Sequence, residues 1–332
     1  MSKKRVLSGM QPSGKLHIGN LVGALQNWVK LQDKYECYYF IADWHALTSQ
    51  YADTSQIKDN IKDVLVNWLS AGIDPERATI FIQSHVPEHA ELHLLLSMIT
   101  PLGWLERVPS YKEKQEEVKD IDLHTYGFLG YPLLQSADIL IYKAHYVPVG
   151  IDQMPHLEIT REICRRFNFL YGNVFPEPEG LLAEFPKVPG IDGRKMSKTY
   201  NNCVYLSDLP GEVEQKIKTM MTDPKRARRT DIGDPELSPV FHLHKIFSSK
   251  EEQSEVADGC RTAKIGCLDC KKILLTNLFK VLNPIWEKRK HYIERPHLLK
   301  EILQAGTKKA KKIASETLID VSNTMKLYLG NT

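Results

Sequence analysis

The sequence predicts an α/β domain followed by an all-helical domain. Short apolar segments that suit strands alternate with amphipathic segments of helical period over the first 206 residues, a pattern typical of a Rossmann-like parallel sheet. No strand pattern recurs after about Leu206. We therefore expect an α/β domain over residues 1–206, with an insertion at about 88–130 where the alternation breaks, and a helical domain over 207–332.

The loop over residues 11–20 connects the first predicted strand, 5–7, to a helical apolar pattern over 21–29. A helix N-terminus attracts phosphate, because its first N–H groups are unpaired and its dipole is positive there. Glycines in the loop leave room for close approach, and His17 and Asn20 are polar side chains one helical turn apart. The loop matches neither common glycine-rich nucleotide motif. On this segment alone, a nucleotide-binding loop and an ordinary glycine turn are equally good interpretations.

Two further strand and helix patterns support a parallel sheet. The aromatic-rich apolar run 37–44 predicts a strand buried on both faces. A capped amphipathic helix is expected from Asp53 to a glycine stop at Gly72, before a strand over 78–83. The insertion includes a charged stretch, 112–122, for which a dimer surface, a mobile lid and a solvated surface remain open.

The segment 131–167 places polar residues on apolar elements. Helical spacing puts Tyr131, Gln135 and Asp138 on one face. An unpaired acid is costly to bury, so Asp138 either caps a neighbour or binds a ligand donor. Asp152 follows a strand pattern and precedes a helical one, a position in which a carboxylate can accept a hydrogen bond from a ribose hydroxyl.

A proline- and glycine-rich loop over 185–194 leads to Lys195, Ser197 and Lys198. Two lysines flanking a serine on a glycine-hinged loop suit a mobile clamp on a polyphosphate leaving group, because cations stabilise the charge that develops there. Taken alone, such lysines are more typical of solvated surface. Helical patterns then continue to the end of the sequence, over 213–220, 240–246, 273–286, 298–303 and 310–329.

The composition is ordinary for a globular protein of roughly two domains. The chain has 332 residues, 42% of them hydrophobic, and a formal net charge of +3. No segment reaches the ~18 consecutive apolar residues of a membrane span, and the N-terminus leaves no room for a signal peptide, so we expect a cytoplasmic protein without membrane association. Basic residues cluster at 225–229 and 308–312. Six cysteines in such a chain argue against a disulfide framework.

Two motifs resemble the paired signatures of the class I aminoacyl-tRNA synthetases. They are the Pro-Ser-Gly loop with His-Ile-Gly-Asn at 17–20, and Lys-Met-Ser-Lys at 195–198. Each is weak alone, but the ordered pair is specific. With the block 131–153 and the helical second half, the resemblance covers essentially the whole chain and is closest to the bacterial tryptophanyl-tRNA synthetases. It implies that an amino-acid carboxylate attacks the α-phosphate of ATP, with Mg²⁺ on the phosphates, and that the adenylate then acylates tRNA(Trp).

The resemblance implies an ATP site built from both motifs, without a covalent enzyme nucleophile. The residues implied to be catalytic are His17, Asn20, Lys195, Ser197 and Lys198. The residues implied to bind ATP are Gln11, Pro12, Ser13, Gly19, Asn20, Gly150, Ile151, Asp152, Val188, Lys195, Met196, Ser197, Lys198 and Thr199. The second histidine of the family's first motif is Asn20 here and the final serine of the second is Thr199; both replacements keep a polar donor.

The resemblance also implies a pocket for L-tryptophan. Its residues would be Asp138 for the indole N–H, Tyr131 and Gln153 for the α-amino group, and Leu7, Val147 and Val149 as apolar walls. The same Tyr131 to Asp138 pattern resembles the sister tyrosyl enzymes, which place a tyrosine on the first strand to reach the substrate hydroxyl. Leu7 stands there in this chain. Because a pocket that binds a hydroxyl needs a polar partner, this apolar residue favours tryptophan.

Cys260, Cys267 and Cys270 have the spacing of metal ligands, and some relatives complete such a set with an upstream cysteine to hold an iron–sulfur cluster. The matching place, 237–238, has no cysteine here. Three thiolates are an incomplete set for zinc or a cluster, although His242 or His244 could complete a zinc site. We therefore expect no metal at these cysteines.

The resemblance implies a homodimer that binds tRNA through its helical half, where the two basic clusters would contact phosphates. Besides the tyrosyl enzyme, two alternative functions fit the motifs less well. A small-molecule nucleotidyltransferase would lack the Lys-Met-Ser-Lys loop and the long helical half. A catalytically inactive RNA-binding or amino-acid-sensing paralogue would be expected to have lost His17, Asn20, Lys195 or Lys198, and all four are present.

Overall fold

The computed structural model describes residues 3–109, 111, 121–150, 153–182 and 187–327. At its centre is the parallel sheet that the alternating pattern predicts. The strands are β1 (Arg5–Met10), β2 (Glu36–Ile41), β3 (Ala78–Ile82), β4 (Tyr146–Val149) and β5 (Glu179–Leu182). Their order is β3-β2-β1-β4-β5, and all neighbouring pairs are parallel. The strand order changes direction between β1 and β4, which is where open α/β sheets bind ligands.

Helices connect the strands of the first half. Helix α1 combines three consecutive stretches, Ile18–Asn20, the π-helical Leu21–Leu25, and Gln26–Leu31. The following helices are α2 (Asp43–Gln50), α3 (Ile57–Ala71), α4 (Glu88–Ser97), α5 (Leu102–Glu106), α6 (Tyr126–Leu129), α7 (Tyr131–Ile141) and α8 (Met154–Tyr171). Helix α3 ends at Gly72 with a φ of 110°, as the sequence predicts.

After β5, the described residues form helices and no further strand of the sheet, in agreement with the sequence. These helices are α9 (Pro210–Thr219), α10 (Pro239–Phe247), α11 (Lys250–Arg261), α12 (Cys267–Ile293) and α13 (Pro296–Thr324). Two helical patterns, 298–303 and 310–329, lie on the single helix α13 as far as Thr324. None of the helices described here combines the length and apolar character needed to cross a membrane.

The two faces of the sheet are covered by two large apolar cores. Alternate residues of β2 point to opposite faces, so Tyr39 enters one core and Phe40 the other. The first core includes Leu278 of α12, and the second includes Ala314 of α13. Helices of the second half therefore complete both cores of the sheet. The boundary near residue 207 stays a prediction.

Helix α13 passes very close to the edge strand β3. A Cβ atom added at Gly306 would lie 1.8 Å from the carbonyl oxygen of Ile80. Two polar contacts attach the same helix elsewhere: the Ser315 hydroxyl donates to Glu88 at 2.7 Å, and the Lys143 ammonium lies 2.6 Å from Asp320. The position of α13 therefore depends on the absence of a side chain at Gly306.

Candidate active site

The first motif forms a tight turn between β1 and α1. Gly14 has a φ of 109°, and helix α1 begins at Ile18 with His17 as its N-cap. The Nδ1 atom of His17 accepts a hydrogen bond from the Gly19 N–H at 3.1 Å, and the Asn20 side-chain oxygen accepts from the His17 N–H at 3.0 Å. A side chain at Gly19 would meet the His17 ring, with Cβ at 2.8 Å from Nδ1.

The protonation of His17 follows from this geometry. Burial, and then the charge of Lys198, lowers the pKa of His17 to about 4, so the ring is neutral at neutral pH. Because Nδ1 accepts from Gly19, the single ring proton lies on Nε2. His17 can therefore offer one N–H donor to a ligand without carrying a charge.

The second motif packs directly against the first. The Lys198 ammonium donates to the Gly14 carbonyl at 3.0 Å and lies 3.5 Å from the Ser13 hydroxyl, although these residues are about 185 positions apart. Burial lowers the pKa of Lys198, an effect that Cys203 and Asp63 partly oppose. The two motifs thus meet at the carboxyl ends of the strands, with a cation at their junction.

A buried asparagine that the sequence analysis missed holds the second motif in shape. The Asn202 side chain donates to Asp192 at 2.7 Å and to the Lys195 carbonyl at 3.2 Å, and it accepts from the Ser197 N–H at 2.8 Å. The hairpin places Lys195 on the exposed side and Lys198 toward the first motif. The only sequence signal for Asn202 is its place four residues after Lys198.

A cavity of about 340 Å³ opens beside β1 and β4, where the strand order reverses. The structure brings together at this cavity seven of the predicted residues, Leu7, Gln11, Tyr131, Asp138, Val147, Val149 and Gln153. It adds residues that the sequence analysis did not select, including Phe40, His45 and His156. The cavity therefore has apolar walls and a few polar groups, which is the usual composition of a small-molecule site.

Asp138 is fully buried and heavily hydrogen-bonded. His45 Nε2 lies 2.7 Å from Oδ2, His89 Nδ1 lies 2.6 Å from Oδ1, and the Gln83 amide donates to both oxygens at 2.8 and 3.0 Å. Burial by itself would raise the pKa of Asp138, but the hydrogen bonds from His45 and His89 hold it below the ordinary value. The carboxylate is therefore ionised at neutral pH. Three side chains donate to it, since the Gln83 amide is shared between both oxygens, and a carboxylate has about four lone-pair sites, so one further donor can be accepted.

No sequence pattern indicated His45, Gln83 or His89 as site residues. Each comes from a different segment, at the start of α2, just after β3 and on α4. All three are polar residues in or beside apolar runs, and this placement was the only sequence feature that could have indicated buried polar site residues. Their convergence on one carboxylate depends on the fold.

The other predicted ATP contacts are dispersed around the motifs. Gly150 follows β4, whereas Ile151 and Asp152 lie outside the described residues. Val188 is buried beside Gly19, and its carbonyl accepts from the Met196 N–H at 2.9 Å. The Met196 side chain belongs to the apolar core, so a contact of Met196 with a nucleotide would have to come from its backbone. The remaining predicted contacts comprise a buried proline and two exposed polar residues, Pro12, Ser13 and Thr199.

Two of the three cysteines of the second half, Cys260 and Cys270, have polar contacts with protein side chains. The Arg226 guanidinium donates to Cys260 Sγ at 3.8 Å, and His244 Nε2 lies 3.4 Å from Cys270 Sγ. Burial raises the pKa of Cys270 to about 12, which disfavours the thiolate that a metal needs. Over residues 3–109, 111, 121–150, 153–182 and 187–327, no group of three or more His, Cys, Asp or Glu side chains is arranged to hold a metal ion.

The two basic clusters differ in exposure. Arg226 is buried and donates to the carbonyls of Arg229 and Ile265 at 2.8 and 2.7 Å, so it supports the loop of the first cluster. In the second cluster, the lysines at 308, 309, 311 and 312 are all exposed on α13. The second cluster is therefore the more accessible of the two to a polyanion.

A parallel sheet whose carboxyl edge joins these two motifs defines a class I aminoacyl-tRNA synthetase. The chain belongs to the family of class I tRNA synthetases for tryptophan and tyrosine (W and Y), whose model matches residues 2–283.

Within that family, several similar relatives are tryptophan enzymes. The tryptophan–tRNA ligase of Thermotoga maritima is 56% identical over 97% of this chain and 99% of its own length. The solved tryptophanyl-tRNA synthetase of Campylobacter jejuni, in complex with ADP and tryptophan, has a TM-score of 0.89 at 36% identity and covers 97% of this chain and 99% of that one. A tyrosyl-tRNA synthetase from Archaeoglobus fulgidus, at 22% identity, covers 87% of this chain and 90% of that one with a TM-score of 0.65, a likeness of fold alone.

Proposed function

We propose that the protein joins L-tryptophan to tRNA(Trp) with ATP, through a tryptophanyl adenylate. The observation that supports this most is the buried Asp138 carboxylate at an apolar cavity that adjoins the phosphate-binding motifs. A carboxylate with room for one N–H donor favours indole, because a substrate without that donor would leave the acid short of a hydrogen bond. The tryptophan enzymes among its relatives agree with this choice.

The proposed ATP site uses donors from both motifs. The Nε2–H of His17 would donate to a phosphate oxygen, with Asn20 holding the turn. The Lys198 ammonium would leave the Gly14 carbonyl and donate to oxygens of the same phosphates. The Lys195 ammonium would pair with the departing pyrophosphate. Transfer at phosphorus depends mainly on such positioning and charge stabilisation, so no covalent nucleophile is needed. The other proposed ATP contacts are Gln11, Pro12, Ser13, Gly19, Gly150, Ile151, Asp152, Val188, Met196, Ser197 and Thr199.

The proposed amino-acid site places the indole between apolar walls. Tyr131 and Gln153 would hold the α-amino group, so that the carboxylate faces the α-phosphate of ATP. The indole N–H would donate to Asp138. The indole walls would be Leu7, Val147 and Val149, all of which line the cavity. A tyrosine substrate would place its hydroxyl in these apolar surroundings.

We propose that Mg²⁺ arrives with ATP and supplies charge neutralisation on the phosphates. Neither motif contains an aspartate or glutamate, so the residues around the phosphates fit a metal bound by phosphate oxygens and water. His17 and the two lysines would supply the remaining positive and donor groups.

We also propose a cytoplasmic homodimer that binds tRNA with its helical half. Leu94 of α4 and Met98, the residue that directly follows this helix, lie one turn apart with 55% and 68% of their surface exposed, and Leu102 of α5 is 61% exposed. An apolar surface of this kind is typical of a protein interface. The exposed lysines 308–312 would contact tRNA phosphates, with a salt-dependent affinity. The solution mass should be twice that of the chain; a monomer at micromolar concentration would contradict the dimer.

The function is tested by amino-acid-dependent exchange of pyrophosphate into ATP with each of the twenty amino acids. We expect exchange with tryptophan and exchange lower by a factor of 10³ or more with tyrosine, a ratio on the order of those for sites that match one polar group. Exchange with tyrosine instead would support the tyrosyl alternative. No exchange with any amino acid would support an inactive paralogue.

A further inference from the structure

A chain of buried hydrogen bonds extends from Asp138 away from the cavity. Its members are Asp138, His89 of α4 and Tyr142, which directly follows α7. His89 Nδ1 lies 2.6 Å from Asp138 Oδ1, and His89 Nε2 lies 2.7 Å from the Tyr142 hydroxyl oxygen. All three side chains are at most 1% exposed. A buried imidazole therefore contacts the carboxylate, and a buried phenol contacts the far side of that imidazole.

The direction of these hydrogen bonds follows from the partners available. His89 is the hydrogen-bond partner that the structure describes for the Tyr142 hydroxyl, and burial raises the pKa of Tyr142 well above its usual value. The Tyr142 hydroxyl therefore stays protonated, and its O–H donates a hydrogen bond to His89 Nε2. His89 must then carry its own proton on Nδ1, where it donates to Asp138 Oδ1. Tyr142 thus stabilises the Nδ1–H tautomer of His89, the same tautomer that the ionised Asp138 requires.

Neither ring of this hydrogen-bond chain, His89 or Tyr142, lines the cavity. His45, the other histidine on Asp138, lines the cavity, whereas His89 and Tyr142 do not. Aromatic neighbours fix both rings: Tyr38 stacks on Tyr142 at 5.1 Å, and Phe81 lies 6.1 Å from His89 between ring centres. A rigid donor on the side of an ionised carboxylate away from the cavity controls the direction of the carboxylate's remaining lone pairs.

We propose that His89 is a positioning residue for amino-acid selection, and that the Tyr142 hydroxyl supports it by stabilising its Nδ1–H tautomer. By holding Oδ1, His89 directs the remaining acceptor capacity of Asp138 toward the indole N–H. The inference rests on the proposed tryptophan activity and deepens it, because it assigns the selection of one N–H donor to two residues that make no contact with the amino acid.

The test compares two substrates in the pyrophosphate exchange assay. One is tryptophan, and the other is β-(3-benzothienyl)alanine, in which sulfur replaces the indole N–H. For His89→Leu we expect kcat/KM for tryptophan to fall by about 10- to 100-fold, the range for a hydrogen bond to a charged group, through KM rather than kcat. For the sulfur analogue kcat/KM should change less than about 3-fold, and KM for ATP less than about 2-fold.

Two further variants separate positioning from packing. Tyr142→Phe keeps the ring but removes the hydroxyl, and should raise KM for tryptophan about 3- to 10-fold. His89→Asn places an amide N–H near the position of Nδ1 and should recover most of the loss seen in His89→Leu. The matched control is His244→Leu, which removes another fully buried, hydrogen-bonded histidine in the helical half and should leave the ratio of the two substrates unchanged.

The outcomes are distinct. Equal losses for tryptophan and the sulfur analogue in both His89→Leu and Tyr142→Phe would overturn the inference and leave only a packing role. Unchanged KM for tryptophan in Tyr142→Phe, the variant expected to fold normally, would overturn the part assigned to the hydroxyl. Absence of tryptophan-dependent exchange in the unmodified enzyme would overturn the proposed function itself.

Discussion

Replacing Asp138 by asparagine is expected to lower kcat/KM for tryptophan by about 10²- to 10³-fold, the range seen when one partner of a buried charged pair is removed. The amide has a single acceptor oxygen, whereas His45, Gln83 and His89 all direct donors at the carboxylate. One of these donors would lose its acceptor. The indole N–H would then compete for the same oxygen or face an amide N–H.

The change is measured by pyrophosphate exchange at varied tryptophan and varied ATP concentrations. KM for tryptophan should rise while KM for ATP stays within about 2-fold, because none of the four hydrogen-bonded side chains belongs to the phosphate motifs. Cys267→Ala is the matched control in the helical half and should behave like the unmodified protein. If both variants lost the same activity, the proposed amino-acid pocket would be misplaced.

Gly306→Ala is expected to destabilise the folded protein by about 3 kcal/mol or more, the upper range of overpacking. The new Cβ would lie 1.8 Å from the Ile80 oxygen and 2.7 Å from its carbonyl carbon. Both are backbone atoms of β3, which is paired to β2 over five residues, so the strand cannot move aside alone. Helix α13 would have to lift, and its contacts from Ser315 to Glu88 and from Asp320 to Lys143 would lengthen.

Thermal unfolding monitored by circular dichroism measures this effect, and the melting temperature should fall by about 5–10 °C. The matched control is Gly211→Ala on α9, where an added Cβ meets nothing within 4 Å. Because alanine has the higher helix propensity, that variant should be unchanged or more stable by up to about 1 kcal/mol. Equal melting temperatures for the two variants would show that α13 does not pack against β3 as described.

Continuous sequence patterns predicted most of the fold. β1, β2 and β3 include buried apolar runs, and the pattern identified them because a parallel strand covered on both faces of the sheet is apolar on both faces. β5 was missed because a four-residue edge strand carries too little pattern. The break predicted within α13 falls beside Gly306, where a helix-weakening glycine serves close packing on β3 instead of ending the helix.

The same contrast applies to the candidate site. Each of the two motifs is a contiguous stretch of sequence, and their residues and their order along the chain indicated a phosphate site. The partners of Asp138 could not be found in that way, because His45, Gln83 and His89 come from three segments that only the folded chain brings together. Asn202 is a similar case, since its role depends on the hairpin that surrounds it.

The most direct test of the account is the ratio of kcat/KM for tryptophan to that for β-(3-benzothienyl)alanine in the unmodified protein. The two substrates have nearly the same shape and differ in the N–H that Asp138 would accept. We predict a preference for tryptophan of about 10²-fold, because the analogue leaves part of a buried charged acceptor unpaired. Equal values for the two substrates would contradict selection through Asp138.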